Sequence, residues 1–299
     1  MVQLAHVESS AAIIPAASER QAMDWSLVLV SQGIESVVQH DEQSGRWQLV
    51  ISPLDVSRAV NAIRLYTLEN RRRRWQLAVP GTGLLFDWRC LACLLLLVVL
   101  FAIEPSLRGN LHEAGVLKPD RVRAGEWWRV FTAVTLHADV AHLARNFASG
   151  LLMLGLACGA YGPGIGMLGS FLAGAIAFGA EVFLLPRHSL GASGMVLGAL
   201  GLLTAQWIAL VRHGLTARQF AVRGVLGGCL LLVLLGLSPE EQTDVFGHVT
   251  GFCAGLVLGA GLAWLPPAVL RSAWTDRVAL IATAVLAFGP WWMALAARG

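Results

Sequence analysis

Three polar clusters interrupt otherwise apolar stretches of this sequence, and their residue types are those of acyl-transfer chemistry. The first holds His137, His142 and Asn146, the second is Gly191-Ala192-Ser193-Gly194, and the third is His248. A serine hydroxyl is a poor nucleophile until a neighbouring imidazole takes its proton, so Ser193 with His248 is the minimal pair for attack on a carbonyl. His142 and Asn146 lie one helical turn apart and share a face. There they can donate hydrogen bonds to the oxyanion of a tetrahedral intermediate, joined by the Ser193 backbone amide. Asp139 and Asp244 are read as interfacial groups, which leaves a dyad without a carboxylate member. His137 is on a somewhat different face and is read as tying the preceding connector to the top of the helix.

Other chemistries fit less well. A hydrolase nucleophile elbow needs glycine at position 195, where this chain has Met195. A zinc site built from His137, His142 and His248 would lack both an HExxH pattern and an accompanying carboxylate, so no metal and no other cofactor is expected. Cys90 and Cys93 form a CxxC, but it falls inside an apolar run, where it cannot act as a redox loop. All five cysteines are therefore read as small packing residues.

The elements that must position these groups follow from composition. The 299 residues are 56% hydrophobic and only 14% charged, against roughly a quarter charged in ordinary soluble domains. Most charges beyond residue 85 sit in short connectors between long uncharged runs, so a polytopic, all-helical membrane protein is expected. The net charge of +3 comes from arginines beside these runs, which fits topology better than nucleic-acid binding. Seven spans are predicted at about 86–104, 135–158, 163–185, 191–211, 220–237, 245–265 and 278–297. The start of the chain lacks a secretory pattern, since Pro15 interrupts the apolar stretch around Ile13 and Ile14, and it is expected to be cytoplasmic.

With that orientation the C-terminus lies outside. Arg71–Arg74, Arg212, Arg218, Arg223, Arg271 and Arg277 fall on the inner side, and Glu240, Glu241 and Asp244 on the outer. The connector at about 105–134 carries several basic residues with Trp127 and Trp128, and is expected to fold into the outer interface. The second, fourth and sixth spans then run in the same direction, each with its polar cluster in its first half, so the clusters can meet at one depth near the outer surface.

Before the spans, residues 1–75 hold a small module with an α-β-β-α pattern at about 18–70 and a basic anchor, with a protein partner as a possible role. Gly194 and Gly198 share a face of the fourth span, and Gly251, Gly255 and Gly259 repeat every four residues behind His248. Small residues spaced in this way let two helix backbones approach closely, as a serine-to-histidine contact requires.

The pattern resembles the rhomboid family of intramembrane serine proteases over about residues 86–265. The matching pieces are Trp128-Arg129, HADVAHLARN at 137–146, GASG at 191–194 and HVTGFCAG at 248–255. The resemblance implies a six-helix protease core, a seventh helix in the 266–299 segment, and cleavage of transmembrane substrates near their outer ends without metal or nucleotide. It also implies Ser193 as nucleophile, His248 as base, and an oxyanion hole from His142, Asn146 and the Ser193 amide, helped by Gly191. The sequence departs from the family at Leu197, where many members have an aromatic ring stacked on the catalytic histidine, and at Cys158, where a glutamate is usual ahead of Gly162. Two other classes of function are compatible with the architecture. One is a non-catalytic relative that binds transmembrane helices; the other is a transporter, whose expected buried charges are thin here, Glu181 being the one carboxylate well inside a span.

Overall fold

Ser18 starts the first helix by accepting the Gln21 amide at 3.2 Å, and Gly33, at a φ of 69°, lets the chain turn away after it. These two signals bound α1 (Glu19–Ser31). A computed structural model describes residues 11–41, 45–69, 76–78, 85–107, 110–209, 215–236, 244–270 and 272–297. Arg71–Arg74, Arg212, Glu240, Glu241 and Arg271 fall outside the described residues.

The chain divides into two units, residues 1–74 and 75–299. In the first, β1 (Ala12–Ala16), β2 (Ser36–Asp41) and β3 (Arg46–Ile51) form an antiparallel sheet in the order β1-β3-β2, and α2 (Val56–Glu69) joins α1. Ala22, Leu29, Ile34, Leu49, Ile51, Ala59 and Ile63 make its core. The sequence pattern omits β1, because Pro15 breaks its apolar run. Proline is tolerated there since β1 is an edge strand whose outward amides need no partner.

In the second unit a short ribbon of β4 (Gln76–Ala78) and β5 (Leu85–Asp87) precedes α3 (Cys90–Ile103). The connector that follows is folded into α4 (Asn110–Gly115), α5 (Pro119–Arg123) and α6 (Arg129–Thr132), with a 3₁₀ turn at Ala133–Thr135. Then come α7 (Val140–Tyr161), α8 (Pro163–Leu184), α9 (Ser193–Ala209), α10 (Leu215–Gly236), α11 (Val245–Leu262), α12 (Pro267–Leu270) and α13 (Ala273–Ala296).

Helices α7, α8, α11 and α13 are each long and apolar enough to cross a bilayer, and α3, α9 and α10 carry shorter apolar runs. The protein is a multi-pass integral membrane protein with a small sheet in its N-terminal unit. Along α13, Ile281, Val285, Phe288 and Trp292 form an exposed apolar stripe, which suits lipid rather than water. Helix α9 is central: it packs on α7, α8, α10 and α11, and all of Gly194–Ala205 is buried.

Candidate active site

Ser193 is the first residue of α9, a helix that opens with the Val196 amide donating to the Ala192 carbonyl at 2.9 Å. First-turn amides have no acceptor within their own helix, and the Ser193 N–H is one of them. The turn before it depends on Gly191, whose φ of 130° is one that side chains rarely adopt. A Cβ on Gly191 would also stand 2.7 Å from His142 Cε1. The Gly191 amide itself donates to the Ala133 carbonyl at 3.0 Å, so this residue shapes the site through space and backbone while its N–H anchors the turn to the connector.

The glycines of α9 and α11 set the distance between the two helices that carry Ser193 and His248. A Cβ on Gly251 would come within 2.5 Å of the Gly194 carbonyl, and one on Gly255 would collide with the carbonyl of Gly198. Gly194 in turn lies beside Gly174 and Ala177 of α8. The close approach expected from the sequence is therefore a backbone-to-backbone contact.

Helix α7 begins at Asp139, whose carboxylate accepts the His142 amide at 2.7 Å. The same arrangement starts α11, where Asp244 accepts the Gly247 amide at 2.8 Å and pairs with Arg187. Both aspartates thus act as helix caps. His248 is buried, and its Nδ1 lies 2.7 Å from the Gly236 carbonyl at the end of α10.

A cavity of about 500 Å³ opens between these elements, lined by His142, Asn146, Ser193 and His248, with Val196, Leu197 and Leu235 as its apolar floor. Asp139, Arg145, Arg187 and His188 stand at its edge. Asn146 is 4% exposed, and its Nδ2 has no hydrogen-bond partner. A buried donor without an acceptor is costly and rare in folded proteins, and this one lies beside Gly191.

His137 lies between the 3₁₀ turn and the start of α7. It is buried, neither ring nitrogen has a partner, and its ring meets His142 edge-on at 5.2 Å. Burial, and next the neighbouring His142, push its pKa down to about 4, so it packs as a neutral ring. The connector is held by Arg129, which is 4% exposed and donates to the Glu113 and Val116 carbonyls at 3.0 and 2.9 Å and to the Glu126 carboxylate at 2.6 Å. Trp128 flanks it, packed on a cluster of Leu111, Leu136 and Trp291. Glu181, in the last turn of α8, is fully buried and lies near Gly247 at the start of α11. Among the described residues no group of three metal-ligating side chains occurs.

Gly236 is the site residue that sequence reasoning misses, because a backbone acceptor leaves no mark on residue type. Arg187 was missed as well, although its charge beside two apolar spans was a usable signal.

Comparison with known proteins gives a consistent neighbourhood. Residues 124–265 match the family described as Rhomboid domain. The chain is 27% identical to Rhomboid protease GluP of Bacillus subtilis (strain 168) over 230 residues, which is 75% of this chain and 44% of that protein. It is 27% identical over 183 residues to Rhomboid-like protease 2 of Toxoplasma gondii, covering 58% of this chain and 60% of the other. With RHOMBOID-like protein 4 of Arabidopsis thaliana the figure is 30% over 146 residues, covering 46% and 34%. The chain thus spans less than two thirds of the length of each of these relatives.

Proposed function

We propose, from the premise that this chain belongs to the rhomboid family through its domain at residues 124–265, that it is an intramembrane serine endopeptidase working through a Ser193–His248 dyad. Its substrates are transmembrane helices of other proteins, cut near the outer face of the membrane. A bacterial inner membrane with a cytoplasmic N-terminus suits the charge pattern, and the N-terminal module suits a protein partner.

In this reading the Ser193 Oγ attacks the scissile carbonyl while His248 takes its proton. The tetrahedral oxyanion accepts hydrogen bonds from the Asn146 amide, the His142 ring and the Ser193 N–H. Collapse of the intermediate breaks the C–N bond, and His248 returns the proton to the leaving amine. Water then hydrolyses the acyl-enzyme by the same route in reverse, with His248 again as base. The substrate helix has to unwind locally, because an intact helix holds its carbonyls in internal hydrogen bonds. Small or helix-breaking residues are therefore expected at the cleaved bond.

The single observation that carries this reading is the buried, unpartnered Nδ2 of Asn146 in the same cavity as Ser193 and His248. The test is cleavage of a model transmembrane substrate in proteoliposomes. Ser193→Ala is expected to lower the rate by about 10⁶, the size of effect seen when a serine nucleophile is removed. Labelling by a serine-directed fluorophosphonate should be lost in both Ser193→Ala and His248→Ala. Cleavage retained in Ser193→Ala would leave helix binding without catalysis, or another nucleophile, as the explanation of the site.

A further inference from the structure

With Leu197 one turn after Ser193, no aromatic ring from that position stacks on His248, and something else has to hold the imidazole. The support comes from α10. Gly236 is the last described residue of α10. Its carbonyl oxygen lies 2.7 Å from His248 Nδ1. A carbonyl has no hydrogen to give, so the bond forms only when Nδ1 carries the proton. Neutral His248 then keeps its lone pair on Nε2, the atom a general base needs on the far side of the ring.

The residue type at 236 matters as well. A Cβ there would stand 3.1 Å from the Cδ1 atoms of both Leu197 and Leu232 and 3.5 Å from His248 Cβ, so a branched side chain crowds the two leucines beside the ring. Glycine lets the backbone come close enough to bond. A bulkier aromatic at 197 would compete for the same space, which links the unusual leucine to the backbone contact.

The geometry points to Gly236 as a positioning residue whose backbone carbonyl fixes the tautomer and orientation of His248, as an aspartate does in a three-member serine site. This assignment rests on the dyad reading and adds a backbone member to it.

The experiment uses the full chain in nanodiscs with ¹⁵N-labelled histidine and the Ser193→Ala change, His248 signals being identified by their loss in an added His248→Gln. The expected result is a neutral ring protonated on Nδ1 and bare on Nε2. A proton found on Nε2 overturns the assignment. In the active protein, Gly236→Val is expected to mix the two tautomers and lower kcat by about a hundredfold, within the contribution of a positioned general base, with KM little changed. An unchanged tautomer and an unchanged kcat in Gly236→Val also overturn it, and if that variant does not fold, the spectrum of the Ser193→Ala protein decides alone. Failure of the dyad reads differently: wild-type protein would then not be labelled by fluorophosphonate, whatever the tautomer. Labelling of Ser193 together with a proton on Nε2 removes the role of Gly236 and leaves the dyad standing.

Discussion

Asn146 stands in the wall of the cavity that Ser193 and His248 also line. Its Nδ2 is buried without an acceptor, and leaving such a donor unpaired costs roughly 1–3 kcal/mol. An oxyanion forming beside Gly191 would supply the missing acceptor at the moment of reaction. Asn146→Ala is therefore expected to lower kcat by about 10²–10³, as loss of one oxyanion donor does, with KM little changed. Thermal stability should hold or rise, because an unpaired donor is gone. A fall in stability with kcat intact would make Asn146 a packing residue, and kinetics with a melting curve on the same preparation separate the two outcomes. Residues of this kind were legible in the sequence because a polar side chain in an apolar run stands out. His248 was legible for the same reason, while the Gly236 carbonyl that bonds it was not, since every residue has a carbonyl and only the fold selects one. His137 is buried with its ring packed on His142.

At the scale of elements, the glycines of α9 and α11 decide whether two helices can present Ser193 and His248 to one cavity. Gly255 lies against the Gly198 carbonyl, whereas a Cβ on Gly227 of α10 would meet nothing within 4 Å. Gly255→Val should therefore destabilise the fold by at least the 1–3 kcal/mol typical of overpacking, and lose cleavage as the helices part. Gly227→Ala should do neither, and the pair compared by thermal melting in detergent tests the interface rather than glycine content in general. Equal effects of the two changes would rule out close packing as the reason for the repeat. The spans themselves were readable because apolar runs near bilayer length have few other uses. Their ends were less so. The second span is expected from about 135, yet α7 starts at Val140, because Ala133–Thr135 forms a buried 3₁₀ turn and Asp139 supplies the cap. Hydropathy reports burial, and burial does not distinguish a helix from a turn packed under a connector.

For the whole molecule the open question is what α13 adds, since the family match ends at residue 265 and α13 starts at Ala273. It is fastened at two places. Near its start the buried Asp276 accepts the Gly164 amide at 2.8 Å, which satisfies a free donor in the first turn of α8. Near its end the Trp291 Nε1 donates to Thr135 Oγ1 at 3.0 Å, and its ring closes on Gly115. The second tie reaches the site, because Thr135 belongs to the turn whose Ala133 carbonyl holds the Gly191 amide. The two ties should therefore separate on mutation. Asp276→Ala leaves a buried amide unpaired and is expected to cost roughly 1–3 kcal/mol of stability, with kcat unchanged below the lowered melting temperature. Trp291→Leu should lower both, since it frees the turn that holds Gly191 and with it the space beside His142 and Asn146. Melting curves and kcat measured on the two variants at one temperature below both transitions check this. If Trp291→Leu melts early but turns over normally, α13 braces the bundle without reaching Gly191, and the oxyanion region is held by α7 and Arg129 alone.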